Sequence, residues 1–207
     1  MAPTPPFGER PAPARLRIVR VKVTGTTETN CYLVACARTR EAVVIDPGAD
    51  AAKVLGQCEG LAVRHVLCTH GHRNHVGAKE AVRSATGAAT AMAFADAKQY
   101  LRAADQYVAD GDRLAFGDFE AVVLATPGHS PGSLCFRVGN HLFTGDTLFQ
   151  GHMGRPDLPD VDPRRQLISV VSRLLPLAPN TVVYPGHGPT STIGAERRDN
   201  VAARAMA

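Results

Sequence analysis

From Arg15 onward, apolar and polar residues alternate in short runs separated by Gly- and Pro-rich turns. "RLRIVRVKV" (15–23) places an apolar residue at almost every second position, which predicts a half-buried strand. "NCYLVAC" (30–36) and "EAVVIDPG" (41–48) read as further strands, the second closed by a turn signal at Asp46-Pro47-Gly48. "ADAAKVLGQC" (49–58) has helical spacing, and "VRHVLCTH" (63–70) reads as a buried strand. "HVGAKEAVRSAT" (75–86) predicts one helix, "ATAMAF" (89–94) a strand and "ADAKQYLRAA" (95–104) a helix.

The second half repeats these kinds of element. "RLAFGDFEAVVLAT" (113–126) predicts a hairpin, and "SLCFRVGNHLFTGD" (133–146) another that turns at Gly139-Asn140. "DPRRQLISVVSRLL" (162–175) predicts a helix capped by Asp162 with Pro163 in its first turn. "TVVYPGHGP" (181–189) is a strand running into a loop, and a last helix is expected from Ala195. Each half thus offers strands followed by helices, and two packed sheets with helices outside would bury them. No linker divides residues 15–207, which are read as one domain. Residues 1–14, "MAPTPPFGERPAPA", have no apolar core of a secretory signal and read as a disordered leader.

Composition narrows the function classes. A chain of 207 residues can bury a sizeable core. The net charge of +4 is mild, and Lys and Arg are scattered without a basic stripe, so a nucleic-acid partner is not expected. No apolar run is long enough to span a bilayer, so no membrane partner is expected either. The five cysteines form no CxxC pair, which argues against a disulfide framework and favours a reducing, cytoplasmic setting. Cys68 and Cys135 sit in apolar runs and read as buried small hydrophobes.

The chemistry lies in the histidines. "CTHGHRNHVG" (68–77) packs His70, His72 and His75 into six positions at the end of a predicted strand. His129 lies in "TPGHSPGS", Asp146 ends "LFTGD", and His187 lies in "YPGHGP". Each stands where a strand runs out into a Gly- or Pro-rich loop, and strand ends on one sheet edge converge in space. A lone histidine at such a place is ordinarily a hydrogen-bonded structural residue. Five histidines and an aspartate following one rule point instead to a metal site, since imidazole and carboxylate are the ligands of zinc and non-haem iron. His65 and His141 do not follow the rule and read as incidental.

The order HxHxxH, His129, Asp146, His187 resembles the metallo-β-lactamase superfamily. "TETNCYLV", "VIDPG", "TPGHSPGSLCF", "LFTGDTLFQGHMGRPDLP" and "VVYPGHGPTSTIGAERR" are similar to its glyoxalase-II-like branch, the hydroxyacylglutathione-hydrolase-like proteins. The resemblance implies an α/β fold, a four-layer αββα sandwich of two mixed sheets flanked by helices, with the site at one edge. It implies that His70, His72 and His129 bind a first metal, that Asp146 bridges two metals, and that His75 and His187 bind the second together with position 74. The family normally has Asp at that position, and this chain has Asn74.

That departure alters the expected charge. Two divalent ions bring +4, and with Asn74 only Asp146 among these ligands supplies a negative charge. The first ion, zinc or iron, is expected to be tight and the second weaker. Asn74 is expected to orient a metal-activated hydroxide by hydrogen bonding, without accepting its proton as a carboxylate would. Three readings of the amide stay open: a tolerated change, an inactivating one, or a lineage working through one metal.

The resemblance implies a metal-dependent hydrolase in which a metal-bound hydroxide attacks a thioester or related acyl group. The rim "GHMGRPDLP" (151–159) offers Arg155 as a fork for a carboxylate or phosphate, unless it pairs internally with Asp157, and His152 as a further substrate contact. The chain ends about where the family's catalytic domain ends, which leaves acyl groups on coenzyme A or a carrier protein open beside glutathione thioesters. A mononuclear-iron persulfide dioxygenase is the alternative from another class, and a metal-binding protein with impaired catalysis is a third. A monomer or homodimer is expected.

Overall fold

Alternation sorts the first strands' side chains onto two faces, and each face meets a different layer. A computed structural model describes residues 15–155 and 159–204. The first sheet runs in spatial order through β1 (Leu16–Thr24), β2 (Glu28–Cys36), β3 (Glu41–Ile45), β4 (Ala62–Leu67), β5 (Ala89–Met92) and the two-residue β6 (Gln106–Tyr107). The second runs through β7 (Arg113–Phe116), β8 (Phe119–Ala125), β9 (Leu134–Val138), β10 (His141–Gly145), β11 (Val182–Pro185) and β12 (Ser191–Thr192). Both sheets are mixed. β3, β4, β5 and β6 pair in parallel, as do β10 and β11, and the remaining neighbours are antiparallel.

Tyr32, Val34, Val43 and Ile45 point to the interior between the sheets, where they meet Phe116, Val123, Phe136 and Phe143. Their neighbours Cys31, Leu33, Ala42 and Val44 point the other way, toward α1 (Ala51–Cys58) and α3 (Lys79–Thr86). On the second sheet Cys135 and Leu142 face outward, against α5 (Pro163–Ser169) and its five-residue π-helical continuation Val170–Leu174, with α6 (Ile193–Asp199) and α7 (Val201–Arg204) beside them. The result is the four-layer αββα sandwich. Strand period two decides the layering, because each strand has a partner on both faces.

Some element boundaries differ from the pattern. The helix expected over 75–86 is two pieces, a single turn α2 (Arg73–Val76) and then α3. The loop at Pro47-Gly48 wedges against the join: the Ala78 N–H donates to Pro47 O at 2.9 Å, and a Cβ on Gly77 would lie 2.4 Å from Gly48 O. The helix expected over 95–104 is α4 (Phe94–Gln99), which stops early. Leu101 takes the left-handed φ of 51°, and the Arg102 N–H closes back on Ala97 O at 2.8 Å. The final helix starts at Ile193 rather than Ala195, with the Thr192 Oγ1 accepting from the Ala195 N–H. Asp162 does cap α5, accepting from the Arg165 N–H at 2.9 Å. β6 and β12 are too short to leave a periodicity in the sequence. The leader 1–14 and Asp157 lie outside the described residues.

Candidate metal centre

β4, β8, β10 and β11 all run out toward one edge of the sandwich, and the loops that follow them carry His70, His72 and His75, then His129, Asp146 and His187. The structure brings all six together. Ligand atoms of His70, His72 and His129 lie within 4.8 Å of one another, and those of His75, Asp146 and His187 form a second such group. Asp146 stands between them. Its Oδ2 is 3.6 Å from His129 Nε2 and 3.5 Å from His187 Nε2, and its Oδ1 is 3.3 Å from His75 Nε2.

Close approach is built into the glycines. A Cβ on Gly186 would sit 2.4 Å from Asp146 Oδ1 and 2.6 Å from His75 Cε1. Gly145 adopts φ 49° against the Thr69 side chain, in the left-handed region that glycine tolerates.

Several partners that orient the rings are not visible as motifs. Buried Asp46, itself at a left-handed φ of 53°, ends β3. It accepts from the Thr69 N–H at 2.7 Å, from the Thr69 hydroxyl at 2.6 Å and from His75 Nδ1 at 3.0 Å. Because the Thr69 proton goes to the carboxylate, the Thr69 oxygen accepts from His70 Nδ1 at 3.0 Å. One carboxylate therefore turns the Nε2 of both His70 and His75 inward. Asp46 also falls within 4.8 Å of His70 and His75 ligand atoms as a third group, but its oxygens are taken up by Thr69 and by the outer nitrogen of His75. Its role here is to orient. His187 donates from Nδ1 to Glu28 O at 2.6 Å, which leaves its Nε2 toward Asp146.

Asp96, fully buried in α4, clamps two loops at once. It accepts from the Gly71 N–H at 2.7 Å, the Ser130 hydroxyl at 2.8 Å and the Gly132 N–H at 2.5 Å. Asn30 reaches across from β2 to Pro185 O at 3.0 Å and Gly188 O at 2.9 Å, holding the His187 loop against the first sheet.

The electrostatics are those of a cation site. Burial pushes the imidazolium forms of His70 and His72 down, and takes His129 to about 4, so these rings present neutral nitrogens. Burial also opposes charge on His75, but the Asp146 and Asp46 carboxylates outweigh it and raise the ring to about 10. Asp146 is held well below the usual carboxylate range, its burial overcome by His75 and His187. Positive charge is favoured beside Asp146, and a proton on His75 meets that preference. Among the described residues, His70 Nε2, His75 Nε2 and Asp146 Oδ1 are buried with no hydrogen-bond partner. Such orphaned atoms within the two ligand groups, all of zinc- or iron-ligand type, fit a bound metal.

The site opens into a cleft of about 500 Å³. Its lining includes His72, Asn74, Phe149, His152 and Arg155. His152 is exposed, meets Phe149 at a tilt with ring centroids 5.0 Å apart and contacts Met153 O through Nδ1. Asn74 sits on α2 with its Nδ2 3.3 Å from His187 Nε2 and 3.4 Å from Thr29 Oγ1. His65 and His141 stay outside the centre, on β4 and β10, as expected, and Tyr184 packs against Phe143 and Tyr32.

A fold of this type with this ligand order defines a family, and the matches agree. The chain belongs to the metallo-beta-lactamase superfamily, whose profile matches residues 24–187. Hydroxyacylglutathione hydrolase GloC of Haemophilus influenzae is 32% identical over 84% of this chain and 92% of its own length. Hydroxyacylglutathione hydrolase of Rhodospirillum rubrum is 38% identical over 75% of this chain and 60% of its own. Among solved structures, TTHA1623 in a di-iron-bound form is 36% identical, covers 88% of this chain and 98% of that one, and has a TM-score of 0.75. ETHE1 from Myxococcus xanthus is 31% identical, covering 90% and 85%, with a TM-score of 0.79. The family and these relatives make the chain a metallohydrolase-type protein with a metal-binding His/Asp cluster. Among the described residues no helix is long and apolar enough to cross a membrane.

Proposed function

We propose that this chain is a thioesterase-type metallohydrolase of the glyoxalase-II-like branch that works mainly through one tightly held ion. The observation that carries the reading is Asp146, which stands between the two groups, its Oδ2 facing both His129 and His187 and its Oδ1 facing His75. When bound, zinc or iron at this cluster supplies an acidified water and polarises an acyl carbonyl. The chain's own residues do the rest. His70, His72 and His129 present neutral nitrogens to the first ion, and Asp46 through Thr69 fixes the His70 tautomer. Arg155 and His152 line the cleft and would contact the substrate beyond the acyl group.

The amide of Asn74 separates the two metal positions. A carboxylate there can only accept hydrogen bonds, whereas the Asn74 NH₂ faces His187 Nε2 at 3.3 Å and donates to it. It engages the ring nitrogen that His187 would offer a second ion. Asn74 also contributes no charge, so the second position is the weaker. Asp46 softens this contrast, since it brings a buried carboxylate to His75 that a count of ligands alone omits.

The relatives named hydroxyacylglutathione hydrolase support a thioester substrate, with glutathione, coenzyme A or a carrier protein as the thiol. The test is release of free thiol from lactoylglutathione and a panel of acyl-CoA esters by protein purified without added metal, alongside metal analysis of the same sample. Turnover with about one zinc per chain supports the reading; a fully loaded protein inert on every thioester refutes it. Persulfide oxidation at one iron is the second reading, favoured by the weakening of one metal position at Asn74. Bound iron with oxygen uptake on glutathione persulfide would establish it instead.

A further inference from the structure

Like His70, whose outer nitrogen reaches Asp46 through Thr69, His72 has an outer nitrogen whose side-chain partner has a partner of its own. Its Nδ1 lies 3.1 Å from His129 Nε2, facing the centre, and its Nε2 lies 3.1 Å from the Tyr100 hydroxyl. The same hydroxyl lies 3.2 Å from Asp160 Oδ2. A carboxylate accepts and does not donate, so the phenol proton goes to Asp160 and the phenol oxygen accepts from His72 Nε2–H. That order of bonds leaves the His72 Nδ1 lone pair pointing at the metal position.

A second observation seats the ring independently of the hydroxyl. A Cβ on Gly71 would lie 2.2 Å from Tyr100 Cδ2, so the phenol packs directly on the backbone between His70 and His72. The ring also meets the His72 imidazole edge-on, centroids 5.0 Å apart. Tyr100 sits where α4 ends, held there by the turn at Leu101, and Asp160 follows the rim that carries Arg155.

We propose that Tyr100 is the positioning residue of His72 and that, with Asp160, it couples metal affinity at the first position to the loop bearing the substrate rim. The proposal rests on the reading of His72 as a ligand. The hydroxyl acts through hydrogen bonds, the ring through packing, and Tyr100→Phe removes only the first.

The test is zinc affinity by chelator competition, together with the absorption spectrum of the cobalt(II)-loaded protein, for wild type, Tyr100→Phe, Asp160→Ala, the double variant and His72→Ala. Outer partners of ligating histidines typically govern affinity by about tenfold or more. Tyr100→Phe is therefore expected to bind zinc about tenfold more weakly and to shift the cobalt bands, with the Tm of the metal-free protein unchanged. Asp160→Ala should weaken binding alone and add less than its single effect on top of Tyr100→Phe, because it acts mainly through the phenol and only weakly by itself, its Oδ2 lying 3.9 Å from His72 Nε2. If His72→Ala loses zinc while Tyr100→Phe keeps wild-type affinity and spectrum, the positioning role is overturned and the site reading stands. If His72→Ala keeps wild-type zinc affinity, the ligand assignment falls and the proposal with it.

Discussion

Replacing Asn74 by Asp tests the charge argument directly. The side chain keeps its shape, and its position beside His187 and Thr29 places it at the second group of ligands. Two unit charges about 4 Å apart interact by about 4 kcal/mol at an effective dielectric of about 20, and a divalent ion doubles that. Against this stand the cost of partly desolvating a new carboxylate, several kcal/mol, and the repulsion of Asp146 in the same cluster. Asn74 is only half-buried, which reduces both contributions. A net gain of about 3 kcal/mol is a reasonable balance, equivalent to about a hundredfold in affinity. The change also removes the NH₂ that donates to His187 Nε2, so both effects have the same sign. Zinc titration against a competing chelator should show one tight step for the wild type and two for Asn74→Asp, with elemental analysis after dialysis rising from about one ion per chain toward two. Identical stoichiometry and affinity in the two proteins would refute the reasoning.

Asp96→Ala should destabilise the metal-free protein by about 3–5 kcal/mol, since three buried donors lose their acceptor at about 1–3 kcal/mol each while the burial cost of the carboxylate is relieved; urea denaturation measures it, and an unchanged midpoint would deny Asp96 its clamping role. Gly186→Ala puts a methyl against Asp146 and His75, so metal analysis should show the second position lost ahead of the first. Asp105, paired with Arg83 and accepting from Thr90, is held below the ordinary carboxylate range. A carboxylate lowered in the folded state contributes stability above its unfolded pKa, about 4, that is lost as the pH falls. Asp105→Asn should therefore lose stability at neutral pH and show a shallower acid limb in thermal melts, and an unaltered limb would count against the pairing.

The layering and the six candidate ligands were legible in the chain because both leave local signals. Period-two alternation marked β1, apolar runs marked β2 and β3, with a turn signal closing β3, a hairpin turn marked β9 and β10, and histidines after strands marked the edge. What orients those ligands left less trace. Asp46 looked like a turn residue in "DPG", and only its contacts with Thr69 and His75, 23 and 29 positions away, show a second role. Asp96 and Tyr100 lie in a stretch whose helical spacing explains them without reference to the centre, and their partners Gly71, Ser130 and His72 come from other elements. The break between α2 and α3 was equally hidden, since a loop distant in sequence claims the Ala78 N–H. Long-range hydrogen bonds of this kind have no period to detect.

The ligands divide evenly between the halves of the molecule. His70, His72 and His75 follow a strand of the first sheet, and His129, Asp146 and His187 follow strands of the second. The centre is thus a seam, and an ion held there rivets one sheet to the other. Neither half owns a complete coordination set, so sliding of one sheet over its neighbour, which shears the packing of Tyr32 and Ile45 on Phe136 and Phe143, also dismantles the centre. Occupancy would then report on alignment of the halves, and free metal in the surroundings would set how firmly they stay aligned.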